Sequence, residues 1–412
     1  MVFLDDKLLG KPTELKRFNH FLVMIHRKVH ILVQFHIMCD LLMLNSELEQ
    51  AVQSVGSVNS ESVHRVRSVN ELYADSSLYS SRDMFSPPSE RRAHVIRFEL
   101  TTGCDYGRCT YCGGFDGIRS RTKTKEEFKE HVDTIFERID PFRLDAKLRR
   151  VFIGGGNALS VDPELLRYAI TYVESKFHAN QRKFPTRTSL YSRTDAIIQK
   201  GQEGLREVFA SRMSGTPVLF YWGVESGSTT VLDYVRKGYT KEDLIHAANI
   251  IHELQRVNRL NINVSVMVMP GLGGAQYYQD HIDDTVDVLN AIQPKFLTFM
   301  GVNPGQKTPY TRKMLQEMRD GTNNPLGDFE AAEQMIAIIR RLNFRTKMGS
   351  YDPSIDAVGR NELPFNDAIN FYDDPRRIAQ ILQAQLVQKR AEDQAWKKTY
   401  VDNSMGRVSN FI

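Results

Sequence analysis

Residues 94–114 read HVIRFELTTGCDYGRCTYCGG. The stretch opens as a strand, with Val95, Arg97 and Glu99 alternating against Ile96, Phe98 and Leu100 at the period of two that a half-buried strand requires. It then runs into Cys104, Cys109 and Cys112, spaced C-x4-C-x2-C, with Gly103, Gly107, Gly113 and Gly114 loosening the backbone around them. The chain holds only four cysteines in 412 residues, which excludes a disulfide scaffold and directs the clustered three toward metal or redox chemistry.

Outward from this loop, strands and helices alternate. Thr124 and Glu127 form a capping box ahead of Phe128, Val132, Ile135, Phe136 and Ile139 at helical spacing. Further strands are expected at Arg150–Ile153, Thr188–Tyr191, Val218–Val224, Ile262–Met269 and Phe296–Gly301. Helices are expected from Asp162–Pro163 onward, over Ala196–Phe209, after the Thr240/Asp243 cap, over Tyr277–Ile292 and over Phe329–Leu342. This alternation predicts an α/β fold with a parallel sheet and helical crossovers, either doubly wound or curled into a barrel. Right-handed crossovers place all strand C-terminal ends on one rim, and the candidate residues follow those ends. They are the cysteines after the first strand, Gly154–Gly155–Gly156–Asn157 after the second, Ser192–Arg193 after the third, Glu225 after the fourth, and Met269–Pro270–Gly271 after the fifth.

Three domains are expected: an N-terminal extension over 1–92, a core over 93–345, and a C-terminal lid and helix over 346–412. Phe21–Leu44 fits one amphipathic helix, and eleven serines among residues 51–92 read as a disordered linker. Asp374–Lys397 reads as a helix carrying Ile378, Ile381, Leu382 and Leu386. Loops at 348–356 and 362–367, with Asn303, Gln306 and Tyr310, are expected to cover the barrel mouth and select substrate. Cys39 reads as a buried or incidental thiol. Phe21–Leu44 carries too many charges and histidines for a bilayer helix, and Asp5, Asp6 and Glu14 do not suit a secretory leader, so a cytoplasmic protein without membrane contact is expected. A net charge of +4 is too mild to argue for nucleic acid.

Three thiolates in one loop can close around one centre. Zinc takes four ligands, so a zinc site needs His94 or His131 delivered by the fold. A 4Fe–4S cluster held by three cysteines instead keeps one iron open.

These motifs in this order resemble the radical S-adenosylmethionine (SAM) superfamily, whose usual pattern is C-x3-C-x-aromatic-C after the first strand of a partial (β/α)6 barrel. Tyr111 stands at the aromatic position, and the one extra residue between Cys104 and Cys109 departs from the usual spacing. Gly223-Val-Glu-Ser-Gly-Ser228 with Arg236–Lys237–Gly238 is closest in texture to the oxygen-independent coproporphyrinogen oxidase and tRNA methylthiotransferase-like core.

The resemblance implies one 4Fe–4S cluster on Cys104, Cys109 and Cys112. It implies SAM contacted by Tyr111, Gly154, Gly155, Gly156, Asn157, Ser192, Arg193, Glu225, Met269 and Gly271. Arg193 would clamp the methionine carboxylate, and Glu225 would accept from the ribose or the ammonium. The plainer readings are a solvated loop arginine and a surface carboxylate paired with Arg236 or Lys237. The implied activity is reductive cleavage of SAM and hydrogen-atom abstraction from a small-molecule or biosynthetic substrate, with a flavodoxin or ferredoxin as low-potential electron donor. Modification of RNA or protein, and a non-catalytic zinc-stapled scaffold, are the alternatives. No cobalamin signature and too few cysteines for an auxiliary cluster are present.

Overall fold

The computed structural model describes residues 69–80, 86–115, 117–139, 148–181, 183–210, 212, 214–302, 308–350 and 371–408. All belong to one unit, His64–Ile412. The expected Phe21–Leu44 helix, Cys39, Asn303, Gln306 and the loop at 362–367 lie outside the described residues, as does most of the loop at 348–356.

The sheet is built from β1 Val95–Glu99, β2 Arg150–Gly154, β3 Arg187–Ser192, β4 Val218–Glu225, β5 Ile262–Val268, β6 Phe296–Phe299, β7 Thr346–Ser350 and β8 Phe371–Asp373. Their order in space is their order in sequence, and every pair from β1 to β7 is parallel, while β8 returns antiparallel to β7. An order with no reversal has no switch point. It is the arrangement of a sheet that curls toward a barrel, not of a doubly wound one.

All six expected strands form, and the sheet continues beyond them. Met348–Ser350, read from sequence as the start of the 348–356 loop, belongs instead to Thr346–Ser350, a seventh parallel strand. Its sequence, Thr-Lys-Met-Gly-Ser, has little of the β-branched and aromatic character that marks a strand; pairing with Phe296–Phe299 decides its state.

The crossover helices are α1 Lys125–Arg138, α2 Pro163–Gln181, α3 Thr194–Phe209, the short α4 Thr229–Tyr234, α5 Lys241–Arg256, α6 Tyr278–Ile292, α7 Pro309–Arg319 and α8 Asp328–Arg340, followed by α9 Pro375–Val408. The capping boxes Thr124/Glu127 and Thr240/Asp243 both close as the sequence predicts. Phe98 stacks on Phe136 with ring centroids 5.6 Å apart, and both are buried with Ile96, Val132 and Ile135. Each such side chain contributes about 1.5–3 kcal/mol on burial. In α9, Ile378, Leu382 and Leu386 are buried as the stripe predicts, while Ile381 is 37% exposed.

For the described part of the serine-rich stretch, the expectation of a disordered linker is corrected by the structure. Residues 69–80 and 86–92 pack on the core instead of forming an unstructured linker. Leu72, Tyr73, Leu78 and Tyr79 are buried. Their role is to seal the free edge of β1, where the Tyr73 hydroxyl donates to Val95 O at 2.9 Å and the Tyr79 hydroxyl to Arg97 O at 2.8 Å. Arg97 N donates to the Tyr73 hydroxyl, and Glu99 N donates to His131 Nε2 at 3.0 Å. An edge strand thus finds side-chain partners where a further strand would otherwise pair. Glu90, fully buried, reaches Arg187 and Tyr221 on neighbouring strands.

Candidate active site

The cysteine loop leaves the C-terminal end of β1 and returns through a two-residue antiparallel ribbon, Thr101–Thr102 against Arg121–Thr122. All three thiols are free and partly buried. Burial pushes the Cys112 thiol up, and the nearby Cys109 and Cys104 push the same way.

The glycines after β2 are explained by this loop. Gly156 N donates to Gly103 O at 2.8 Å. A Cβ on Gly156 would stand 2.5 Å from that oxygen and 2.7 Å from Cys104 Cβ, and one on Gly155 would stand 1.6 Å from Thr101 Oγ1. The close approach they permit is to the loop itself. Gly154, the last residue of β2, accepts from Leu100 N at 3.3 Å. Asn157 is buried and ties the next layer together. Its Oδ1 accepts from Arg193 N at 3.2 Å, and its Nδ2 donates to Asp105 at 3.3 Å.

Arg193 is not a solvated loop residue. It is buried at the end of β3, with its guanidinium paired to Asp195 at 3.0 Å and stacked 3.8 Å over the Tyr106 ring. Its Nη2 also donates to Lys237 O at 2.9 Å, and Nη1 lies 3.7 Å from Cys109 Sγ. Burial works against its charge, but Tyr239 and Asp195 outweigh it and hold the pKa above the ordinary arginine range. The fork expected to clamp a methionine carboxylate is engaged by Asp195 in this structure.

Glu225 closes β4 with a left-handed φ of 64°, at the register shift between Gly223 and Glu225. A non-glycine residue held there costs of order 1–3 kcal/mol and marks a constrained position. The carboxylate is buried, so it is not the surface group of the plainer reading; its partner is Lys237, 3.1 Å away and equally buried. Lys237 also donates to the Tyr111 hydroxyl at 2.7 Å. Burial opposes the ammonium, yet Glu225 and the tyrosine hydroxyls raise its pKa well above the free value.

Met269 N donates to Glu225 O at 2.8 Å, and its side chain joins Val231, Val235, Leu272, Tyr310 and Met314 in a small apolar cluster that Tyr111 packs against. Gly271 N donates to Gln334 at 2.7 Å. The structure therefore links the three cysteines, Tyr111, Asn157, Arg193 and Glu225 in one network that runs through Asp105 and Lys237, and sets Met269 beside Glu225. Gly271 O accepts from the Tyr310 hydroxyl at 3.5 Å.

Sequence reasoning treats Lys237 only as a possible ion-pair partner, gives Asp195 no role although it follows the third strand, and misses Tyr106 and Asp105. The signal for Lys237 was the Arg236–Lys237–Gly238 run; Asp105 and Tyr106 carried none, because their partners Asn157, Arg193 and Arg236 lie far off in the chain.

The zinc alternative fits poorly. His94 precedes β1, with five strand residues at ~3.3 Å each between it and the cysteine loop. His131 Nε2 is occupied by Glu99 N. Zinc draws its donors to within about 2.3 Å of one point, and among the described residues no three His, Cys, Asp or Glu side chains converge in that way. A three-thiolate iron–sulfur cluster, which spreads its ligands more widely, suits the donor set. Buried Ser192 Oγ, Glu225 Oε2 and Ser228 Oγ lack partners at the ends of β3 and β4, as a polar cofactor with amino and hydroxyl groups requires.

The family model described as the Radical SAM superfamily matches residues 98–283, and that stretch is a radical SAM domain. A domain of this class implies a 4Fe–4S cluster and SAM, and Cys104, Cys109 and Cys112 lie in its motif region. No curated protein matches the chain. Among solved structures, the cobalamin-dependent S-adenosylmethionine radical enzyme OxsB, with aqua-cobalamin and S-adenosylmethionine bound, is similar at 16% identity over 58% of this chain and 40% of that one, TM-score 0.42. HydG, a maturase of the [FeFe]-hydrogenase, is similar at 13% identity over 71% and 62%, TM-score 0.37. Coproporphyrinogen III oxidase HemN from Escherichia coli is similar at 13% over 59% and 58%, TM-score 0.34. The chain thus spans 40% of the OxsB chain and about three fifths of the other two. Among the described residues no helix is long and apolar enough to cross a membrane.

Proposed function

We propose that this chain is a radical SAM enzyme acting on a small-molecule or biosynthetic intermediate, with a flavodoxin or ferredoxin as electron donor. The observation that carries the reading is the union of three free thiols with buried, partnerless polar atoms at the adjoining strand ends, Ser192 Oγ and Glu225 Oε2. When bound, the cluster supplies an electron for reductive cleavage of SAM, and with it the means to take a hydrogen atom from substrate.

The residues of the chain bind and orient. Cys104, Cys109 and Cys112 hold the cluster. Glu225, with one oxygen on Lys237 and one free, accepts a hydrogen bond from the ammonium or ribose of SAM, and Ser192 offers its hydroxyl at the end of the adjoining strand. The apolar wall of Met269, Leu272 and Tyr310 excludes water from the reacting end. The domain boundaries expected at 92/93 and 345/346 are displaced in this reading. The functional core takes in residues 69–80 and 86–92, the former through the β1 edge, and β7 through the sheet.

The test is reductive cleavage of SAM to methionine and 5′-deoxyadenosine by the anaerobically reconstituted chain. The wild type is expected to release both products under dithionite. Cys104→Ala, Cys109→Ala and Cys112→Ala are each expected to abolish release, and full activity in any of them contradicts the assignment.

A further inference from the structure

The residues between the cysteines are fastened, one after another, to a single turn. After α4, Val235, Arg236 and Lys237 present three consecutive anchors. Val235 O accepts from Thr110 N at 2.9 Å and from Thr110 Oγ1 at 3.2 Å. Arg236 O accepts from the Tyr106 hydroxyl at 2.8 Å. Lys237 Nζ donates to the Tyr111 hydroxyl at 2.7 Å. Tyr106, Thr110 and Tyr111 are interleaved with Cys104, Cys109 and Cys112, so fixing the first set leaves the thiols little freedom.

The turn is itself rigid. Val235 N, Arg236 N and Lys237 N donate back to Val231 O, Asp233 O and Leu232 O at 3.1, 3.0 and 2.8 Å. Arg236 is held at a left-handed φ of 55°, a conformation a side-chain-bearing residue keeps only under constraint from its surroundings. Gly238 follows at φ 85°, and a Cβ there would stand 2.3 Å from the Tyr106 hydroxyl oxygen and 2.6 Å from its Cζ. Arg193 braces the junction from the other side, stacked on Tyr106 and hydrogen-bonded to Lys237 O.

We propose that the turn Val235–Gly238 is a preformed seat that sets the thiol loop in its cluster-holding shape, with Lys237 and Gly238 as positioning residues for the cluster. The proposal rests on the radical SAM reading of the site. A ligand loop oriented before the metal arrives loses less entropy on binding, and partners of this outer kind typically change metal affinity 10–100-fold.

The experiment uses the full chain, reconstituted anaerobically with ferrous iron and sulfide, as wild type, Gly238→Ala, Lys237→Met, Tyr106→Phe and Gly321→Ala. The last is a control for backbone strain alone, because Gly321 has φ 68° and nothing within 4 Å of an added Cβ. Two quantities are read: the rate of iron loss to a chelator and the electron paramagnetic resonance spectrum of the reduced cluster. Circular dichroism before reconstitution reports the fold.

Gly238→Ala and Lys237→Met are expected to lose iron about tenfold faster or more, with shifted g-values, Tyr106→Phe to show a smaller loss, and Gly321→Ala to match wild type. Should Gly238→Ala fail to fold, Lys237→Met and Tyr106→Phe carry the same comparison. Wild-type retention and spectrum in those variants overturn the seat while leaving the radical SAM reading intact. A wild-type chain that takes up no cluster overturns that reading, and the proposal with it.

Discussion

Lys237 donates to the Tyr111 hydroxyl at 2.7 Å, so one buried ammonium joins the loop that bears the thiols to the end of β4. Its second contact, Glu225 at 3.1 Å, makes the link a buried ion pair. Removing one member of such a pair strands the other charge at a cost of about 3–5 kcal/mol. Glu225→Gln is therefore expected to lower the denaturant midpoint and to weaken SAM binding at least tenfold by equilibrium dialysis of the reconstituted enzyme. Unchanged binding would remove Glu225 from the cofactor site.

The glycine after β2 answers to the loop, not to open space. A Cβ on Gly155 would stand 1.6 Å from Thr101 Oγ1 and 2.6 Å from Thr101 O, at a φ of +128°. Gly155→Ala is expected to lose about 1–3 kcal/mol of stability and most of its iron. A variant with wild-type melting and iron content would contradict this packing.

Two imidazoles are kept neutral by the fold. Burial lowers His281 to about 3 and His131 to about 3, Lys123 adding to the effect on the latter. The unfolded chain takes up these protons near pH 6.5, so stability rises with pH across the window from about 3 to about 6.5 and is lost on acidification through it. At pH 5 each histidine costs about 2 kcal/mol relative to pH 7. His281, with both ring nitrogens buried and partnerless, is the cleaner probe. His281→Leu is expected to flatten the slope of unfolding free energy against pH by about 1.4 kcal/mol per unit below pH 6; an unchanged slope refutes its neutrality in the native state.

Glu90 ties the N-terminal segment to the sheet. Its carboxylate is fully buried against Arg187 and Tyr221. Glu90→Ala is expected to cost about 3–5 kcal/mol in urea unfolding. Tyr73→Phe and Tyr79→Phe, each deleting one hydroxyl bond to the β1 edge, are expected to cost about 1 kcal/mol apiece. Changes near zero in all three would contradict the packing of residues 69–80 and 86–92 on the core.

What could be read in advance follows physical lines. Strands such as Val95–Glu99 and Val218–Glu225 announced themselves because alternation and β-branched residues are local properties. The cysteine loop was legible because three thiols so close in sequence have few structural uses. The strand Thr346–Ser350 was not, since neighbours rather than composition hold it extended. Serine content masked the tyrosines at 73 and 79, whose partners Val95 and Arg97 are fixed only by the fold. Arg193 is placed at the rim by the sequence, but its contacts with Cys109, 84 residues before it, and with Lys237, 44 residues after it, belong to tertiary structure.

The most direct measurement is metal and acid-labile sulfide analysis of the anaerobically reconstituted full chain. One site-bound cluster predicts about four irons and about four sulfides per chain, both lost when Cys104, Cys109 and Cys112 are replaced together by alanine. Zinc without sulfide, or iron retained by the triple variant, would contradict the account.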